Sequence, residues 1–322
     1  MRCYGVVPVM RRVLCAASVL VCLLAAAVAA ADMPVFDGQA MRNNLRHRLE
    51  QIIESDGGGK VEFELEDIRI ESAQGFSLGS IPLYAVKAVA ADKEQYGEFA
   101  GRQFVFVVDP SGEYIFSGVR FVASGEDALS EMIDAVSHIE VAPDLGAVAY
   151  ENPEGDTDVV FLSDPFCVFC REAFAFLKQE RRVRQIRYVH FPNDDLHPSA
   201  AIVCLAAMDA QKRHPELYRA LLGYAYSTLK PYAPESGDAA VDKKEADLWA
   251  LGQIGAAYPQ LLAGFGKPEE YREYLLKEYW DLLVKESGEA IRLGFDGTPG
   301  IIVGGTPVHG FDPEKIQHLL GK

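Results

Sequence analysis

The sequence has few cysteines, no excess of basic residues, and no internal repeat or low-complexity segment. Lys and Arg number 31 against 47 Asp and Glu, which gives a formal net charge of −16. Such an acidic chain lacks the basic surface that phosphate binding requires, so nucleic acid is excluded as an expected partner. The 322 residues, of which 49% are hydrophobic, suffice for two domains with substantial cores.

Residues 1–31 have the pattern of an export signal. Three arginines precede an uncharged apolar run over 13–28, and small residues at 27–31 offer cleavage sites. Because that run is shorter than the ~20 residues of a membrane-spanning helix, we favour cleavage over a retained anchor. Lipid attachment at Cys22 is a third option, which the size of Val21 disfavours. We therefore predict an exported protein.

Cysteine use after residue 31 is unusual for an exported chain. Only Cys167, Cys170 and Cys204 remain, although thiols are normally paired in an oxidising compartment. One close pair and one odd thiol do not form a disulfide framework. The C-x-x-C pair could be half of a zinc site, a structural disulfide or a redox couple. No second C-x-x-C or closely spaced histidine pair completes a zinc site, so we predict a redox couple and neither a metal nor another cofactor.

The stretch 157–171 organises the second half of the chain. A short apolar run at 159–162 predicts a buried strand, a Ser-Asp-Pro turn breaks it, and a helical stretch follows the cysteines. This order places Cys167 at a helix N-terminus, where unsatisfied N–H groups and the helix dipole favour a thiolate. Cys170 lies one turn further on, within reach of a reversible disulfide.

Residues 32–123 are predicted to form a small α+β domain, followed by a linker helix over 124–144. The first domain is expected to contain a helix at 38–54, a strand with one solvent-exposed face at 61–66, and a hairpin at 104–119. Residues 145–322 are predicted to form an α/β domain in which strand, helix and strand imply a parallel pair. A large helical insert spans 197–294, and a hairpin and a helix end the chain.

This pattern resembles the thioredoxin superfamily, and more narrowly the periplasmic disulfide isomerases and oxidoreductases of the DsbC/DsbG type. The resemblance covers about residues 146–322, and four segments carry it. They are the active-site stretch at 161–171, the next strand at 187–192, the start of the insert at 201–206 and its end at 294–299. The N-terminal region resembles that family's dimerisation domain only faintly. The implied fold is a thioredoxin fold with a large helical insert.

The resemblance also implies roles for individual residues. Cys167 would be the attacking thiol and Cys170 the resolving thiol, while Thr298 and a cis Pro299 would line the site beside the disulfide. The dipeptide Val168-Phe169 between the cysteines would contact substrate. A cis bond is costly except before proline, and proline presents no N–H, so the flanking backbone can pair with a substrate strand.

Three departures from the family pattern affect the expected chemistry. The dipeptide between the thiols contains no histidine, so we expect a couple less oxidising than a strong disulfide donor. Phe161 stands six residues before Cys167, where thioredoxin has a buried acid. Asp164 is the nearest carboxylate, and capping the turn is favoured over proton transfer. Cys204 has no partner thiol, and we expect it to be buried and inert.

The function expected from the sequence is periplasmic thiol–disulfide exchange, most simply disulfide isomerisation or reduction. The expected partners are disulfide-bonded or misfolded exported proteins, a membrane thiol–disulfide redox partner, and a second copy of the chain bound through the N-terminal domain. Two alternatives stay open: a disulfide-donating oxidase of the DsbA type, and a non-enzymatic periplasmic chaperone with a structural disulfide.

Overall fold

The computed structural model describes residues 33–55, 60–78, 80–116, 134, 136–232 and 238–321. The predicted signal at 1–31 lies outside these residues, as do 124–133 and 135 of the predicted linker helix. The described end of that predicted helix, 138–144, is irregular chain and turn. The chain divides into two compact units, one of Met1–Ala91 with Phe104–Val136 and one of Asp92–Gln103 with Ser137–Lys322. No helix among the described residues combines the length and the apolarity needed to cross a membrane.

The first unit packs helix α1 with a four-stranded sheet in the order β1-β2-β3-β4. Its elements are α1 (Gly38–Ser55), β1 (Ile68–Leu78), β2 (Ile81–Ala90), β3 (Gln103–Val108) and β4 (Ile115–Phe116). Asp37 caps α1, because its Oδ1 accepts the amide hydrogens of Gln39 and Ala40 at 3.0 and 2.9 Å. Met41, Leu45 and Leu49 recur at helical spacing and are buried.

The strand predicted at 61–66 is wrong. Phe63 is buried as the alternation suggested, but residues 61–64 are irregular and a short 3₁₀ helix occupies Leu65–Asp67. Asp67 and Glu64 bond each other's backbone in a capping box, which turns the chain before β1 begins. The first strand therefore starts at Ile68, two residues after the predicted strand ends.

Residues Asp92–Gln103 belong to the second unit, although they were predicted to lie in the first domain. They contain a 3₁₀ segment, Glu94–Phe99, and contact the end of the helical insert. The Cβ position of Gly101 lies 3.4 Å from the Arg292 side chain. Arg102 forms an ion pair of 3.5 Å with Asp296. These contacts place the segment beside the loop that ends the insert.

The second unit contains a five-stranded sheet in the order β5-β7-β6-β8-β9. Its strands are β5 (Ala147–Glu151), β6 (Thr157–Ser163), β7 (Val183–His190), β8 (Gly300–Val303) and β9 (Thr306–His309). β6 and β7 are parallel, whereas β8 is antiparallel to both β6 and β9. Helix α2 (Val168–Leu177) connects the parallel pair, and α7 (Pro313–Gly321) follows the terminal hairpin. This order of connections confirms the predicted thioredoxin fold.

Four helices fill the predicted insert between β7 and β8. They are α3 (Ala200–Arg213), α4 (Pro215–Ser227), α5 (Ala239–Ala257) and α6 (Pro268–Arg292). Helix α3 is buried at every position from Ala200 to Ala210, because its alanines let neighbouring helices approach closely. One continuous apolar core joins these helices to α2 and to one face of the sheet.

Candidate redox-active site

The backbone around Cys167 has the strand–turn–helix form that the sequence predicts. Strand β6 ends at Ser163, a turn follows, and Cys167 is the N-cap of α2 with φ −64° and ψ 122°. Pro165 cannot extend the strand ladder because it has no N–H. The first turn of α2 therefore presents free backbone N–H groups next to the Cys167 sulfur.

Asp164 holds this turn in place. Its side chain is fully buried, and Oδ1 accepts the amide hydrogens of Phe166 at 2.7 Å and Cys167 at 3.2 Å. Oδ2 accepts the amide hydrogen of Asn193 at 2.7 Å and lies 3.0 Å from Nδ1 of His197. Both carboxyl oxygens of Asp164 therefore have hydrogen-bond partners, four in all. This arrangement is that of a capping residue and not of a free proton acceptor.

The loop before β8 brings Thr298 to the Cys167 sulfur. β8 pairs with β6, and Gly300 lies opposite Leu162 in that register. The residues just before Gly300 therefore sit beside the turn that follows β6. The Thr298–Pro299 bond is cis. The Cys167 sulfur lies 3.6 Å from the Thr298 carbonyl oxygen, although 131 residues separate the two in sequence.

The two thiols differ sharply in acidity. Hydrogen bonding from the Cys170 thiol is the largest cause that lowers the pKa of Cys167, to about 6. Burial opposes this shift, whereas the backbone N–H groups of Cys170 and Phe169 and the side chain of Thr298 reinforce it. Burial raises the pKa of Cys170 far above the ordinary thiol value, and its bond to Cys167 raises it further. At neutral pH, Cys167 is the thiolate and Cys170 is the thiol.

The surface beside the sulfur is apolar. Val168 and Phe169 are 63% and 61% exposed, whereas Cys167 is 9% exposed and Cys170 is fully buried. A cavity of about 310 Å³ adjoins the loop at Thr298 and is lined by 191–195 and 296–298. The exposed dipeptide follows Cys167 directly, and the cavity adjoins the loop whose Thr298 carbonyl lies beside the Cys167 sulfur.

Cys204 sits apart from this chemistry. It lies on α3 with 1% exposure, and burial raises its pKa well above the ordinary thiol value. Cys167, Cys170 and Cys204 are all free thiols in this structure. A protonated thiol in an apolar core packs as a small hydrophobe and reacts slowly.

The structure brings Cys167, Cys170 and Thr298 into one site, with Pro299 in the adjoining loop and Val168 and Phe169 at the surface. His197 and the hydroxyl groups of Ser163 and Tyr226 were not predicted from the sequence. A polar residue ending an apolar strand was the one available signal for Ser163. No sequence pattern indicates Tyr226, which lies 63 residues away. Among the described residues, no cluster of His, Cys, Asp and Glu is arranged to hold a metal ion.

Comparison with known proteins gives structural similarity alone. No protein-family model matches this chain, and no curated protein matches it. Several solved structures share part of its architecture. The thiol-disulfide exchange protein alpha-DsbA2 from Wolbachia pipientis is 14% identical, with 56% of this chain and 87% of that chain covered and a TM-score of 0.38.

Two further structures show a comparable degree of similarity. A thioredoxin-like oxidoreductase from Silicibacter pomeroyi is 21% identical, with 55% of this chain and 91% of that chain covered and a TM-score of 0.38. The catalytic domain of Proteus mirabilis ScsC is 17% identical, with 61% and 98% covered and a TM-score of 0.36. The narrower DsbC/DsbG likeness stays a prediction. The thioredoxin fold of this chain rests on its own strand order and connections.

Proposed function

We propose that this protein is a thiol–disulfide oxidoreductase in which Cys167 attacks and Cys170 resolves. The observation that carries the proposal is the Cys167 thiolate at the N-cap of α2, with the Cys170 thiol donating to it and the Thr298 backbone beside it. A pKa of about 6 keeps Cys167 largely ionised at neutral pH. A structural disulfide requires no such acidity, because its sulfurs never act as nucleophiles.

The exchange proceeds through a mixed disulfide. The Cys167 thiolate attacks one sulfur of a substrate disulfide, a Cys167–substrate bond forms, and the other substrate sulfur leaves with the electron pair. Cys170 then attacks Cys167, the substrate sulfur leaves as a thiol with the proton that Cys170 loses, and the Cys167–Cys170 disulfide remains. The substrate has gained two electrons and the enzyme has lost two. In isomerisation a substrate thiol releases Cys167 instead, and the enzyme ends unchanged.

Isomerase or reductase activity on misfolded exported proteins is the finer form of the proposal. The stabilised Cys167 thiolate and the exposed Val168-Phe169 surface support it, since unfolded clients expose apolar segments. A membrane redox partner would restore the dithiol. A DsbA-type oxidase is the alternative, and it would use the same groups in the opposite direction.

We further propose an exported, periplasmic location and a homodimer formed through the first unit. Strand β1 supports the dimer, because it is an eleven-residue strand at the edge of the sheet that the described residues form. Such an edge leaves backbone N–H and C=O groups available for pairing with another strand. Light scattering of the purified chain after removal of residues 1–31 would report a mass near twice the monomer. A monomeric mass would contradict this part of the proposal.

Insulin reduction tests the central proposal. The wild-type chain should accelerate reduction of insulin by dithiothreitol, and Cys167→Ser should lose the acceleration. Cys204→Ser is the matched control, because it removes a thiol that lies outside the site. If Cys167→Ser retained activity, the exchange mechanism would be wrong. If that variant lost activity but suppressed client aggregation as well as wild type does, a chaperone function would be established beside exchange.

The redox state in cells separates the finer alternatives. Alkylation of the cysteines in freshly lysed cells should trap Cys167 and Cys170 mainly as thiols in an isomerase or reductase. A mainly oxidised pair would identify a disulfide donor and would overturn the isomerase proposal.

A further inference from the structure

A chain of buried hydroxyl groups lies beneath Cys170. The Ser163 hydroxyl is within hydrogen-bonding reach of the Cys170 sulfur and also bonds the Tyr226 hydroxyl. Tyr226 in turn lies 3.0 Å from the Tyr188 hydroxyl, which lies 3.4 Å from the Ser163 carbonyl. Ser163, Tyr188 and Tyr226 are 0%, 1% and 8% exposed. These three hydroxyl groups therefore cannot use bulk water as an alternative hydrogen-bond partner.

Packing holds the central member of this chain in place. The Tyr226 ring, from α4 in the helical insert, lies with its centroid 5.0 Å from the Phe174 ring of α2. It also lies 6.1 Å from the Tyr188 ring of β7. Three elements of the fold therefore fix the direction of one hydroxyl group. Such convergence is more than the packing of an aromatic ring requires, since phenylalanine would fill the same space.

The position of the chain coincides with a chemical need. Resolution of a mixed disulfide requires negative charge to develop on Cys170, and burial without a donor strongly disfavours that charge. Phe161 occupies the place six residues before Cys167 and is fully buried. Asp164, the nearest carboxylate in sequence, already binds three amides and His197. The titratable groups around Cys170 are instead other thiols and phenols, namely Cys167, Tyr188, Tyr226 and, next to the phenols, Cys204.

The hydroxyl chain can be satisfied in both protonation states of Cys170, because each hydroxyl both donates and accepts. In the mixed disulfide Cys167 is no longer a thiolate that accepts the Cys170 hydrogen, so the protonated Cys170 thiol donates to Ser163, Ser163 to Tyr226, Tyr226 to Tyr188, and Tyr188 to the Ser163 carbonyl. When Cys170 is ionised, each hydrogen bond between these groups reverses its direction. Tyr188 then donates to Tyr226, Tyr226 donates to Ser163, and Ser163 donates to the Cys170 thiolate. The Ser163 carbonyl keeps a donor, since it accepts the Phe191 amide hydrogen at 3.0 Å.

We propose that Ser163 and Tyr226 form a reversible hydrogen-bond chain that stabilises the charge developing on Cys170 as it attacks the mixed disulfide. Ser163 is the group that touches the reacting sulfur, and Tyr226 is a positioning residue that polarises it. The bond from Cys170 to Cys167 forms while the Cys167–substrate bond breaks, and the substrate sulfur takes the electron pair and the proton. The hydroxyl groups only reorient, so they neither gain nor lose a proton. This inference rests on the proposed exchange function.

The test separates the two chemical steps with glutathione disulfide as substrate. The reduced full chain is mixed with it, quenched in acid at increasing times, and analysed by intact mass. The rise of the glutathionylated protein reports the attack of Cys167, which depends on glutathione disulfide concentration. Its decay reports the attack of Cys170, which does not. Ser163→Ala and Tyr226→Phe are compared with wild type over the pH range of the dithiol.

Tyr218→Phe is the matched control. Tyr218 lies in the same core at 3% exposure, and its buried hydroxyl has no hydrogen-bond partner among the described residues. Removing that hydroxyl perturbs a buried tyrosine without touching the chain beneath Cys170. Thermal melting of each variant shows that the assay temperature lies below its transition. If Ser163→Ala or Tyr226→Phe unfolds below the assay temperature, the result for the other of these two variants decides the test.

Ser163→Ala and Tyr226→Phe should each slow the decay of the glutathionylated protein about tenfold, as expected for loss of one hydrogen bond to a charged group. The attack of Cys167 should stay within about twofold of wild type, and the pH profile of the decay should move to higher pH. Tyr218→Phe should change neither step. The hydrogen-bond chain would be refuted if Ser163→Ala and Tyr226→Phe both kept the wild-type decay rate, or if Tyr218→Phe slowed the decay as much as they do. Either result would leave the proposed exchange function standing. A wild-type chain that forms no glutathionylated protein would overturn the proposed function itself.

Discussion

The carboxyl group of Asp164 accepts the amide hydrogen of Cys167 at 3.2 Å, so a fully buried acceptor caps the start of the helix on which the nucleophile sits. An acceptor at a helix N-terminus stabilises the helix because it satisfies orphan N–H groups. The same carboxylate binds the Asn193 amide at 2.7 Å and His197, both from the segment after β7. Asp164 therefore ties the active-site turn to the start of the helical insert.

Asp164→Ala should destabilise the protein by about 2–4 kcal/mol, because three amides and His197 lose a buried acceptor. The free energy of unfolding from urea titration measures this cost. Asp164→Asn keeps one carbonyl acceptor for the Phe166 and Cys167 amides and should cost less than Asp164→Ala. Equal stability of wild type and Asp164→Ala would show that the cap contributes nothing.

Cys167 should react with iodoacetamide as a group of low pKa. The rate should be half-maximal near pH 6, since the pKa of Cys167 is lowered to about 6, first by hydrogen bonding from Cys170. Cys170→Ala removes that donor and should move the profile to higher pH, whereas Cys170→Ser keeps a hydroxyl donor and should move it less. The pH dependence of alkylation, with the labelled residue identified by mass spectrometry, measures the effect. A wild-type profile centred at the ordinary thiol pKa would contradict the assignment.

Glu286 should make stability depend on pH. Burial raises its pKa to about 8, and the His190 amide, which donates to Oε1 at 3.1 Å, offsets this only in part. A raised pKa means that the folded state holds a proton that the unfolded state releases, so Glu286 costs stability as pH rises from about 4.5 to about 8. Glu286→Gln, which mimics the neutral acid, should match wild type near pH 4.5 and exceed it by roughly 4 kcal/mol near pH 8.

Urea denaturation at several pH values between these limits gives the difference for Glu286→Gln. Glu273→Gln is the control, because Glu273 is an exposed residue of the same helix α6. It should leave the pH dependence unchanged. A constant difference between wild type and Glu286→Gln at all pH values would show that the carboxyl titrates normally.

Asp209 should be critical for the helical insert. Its buried carboxylate bonds Arg213 at 2.5–2.6 Å and accepts the hydroxyls of Tyr271 at 2.7 Å and Tyr279 at 3.0 Å, which joins α3 to α6. Asp209→Ala would leave a cation and two phenols without their acceptor, and it should cost about 3–5 kcal/mol. The exposed ion pair of Arg219 with Glu151 provides the comparison, and Glu151→Ala should cost less than about 1 kcal/mol. Thermal melting of both variants would show the contrast, and similar losses would refute it.

Local patterns predicted most of the second unit. The terminal hairpin occurs at the predicted strands, Gly300–Val303 and Thr306–His309, because Gly304 and Gly305 adopt the positive φ angles that a tight turn requires. The strand predicted at 61–66 was wrong, because the alternation of apolar and charged residues does not reveal the capping box that turns the chain before β1. Nothing in 92–103 indicated that these residues pack with the second unit.

The sequence by itself determined the parts of the site that depend on near neighbours along the chain. A strand, a Ser-Asp-Pro turn and a helix beginning after Cys167 follow from local backbone preferences, and the C-x-x-C spacing then sets Cys170 one turn away. The tertiary structure alone decided what surrounds those sulfurs. The pairing of β8 with β6 delivers Thr298, and packing of the insert delivers Tyr226, because contacts between distant segments depend on topology that no local pattern encodes.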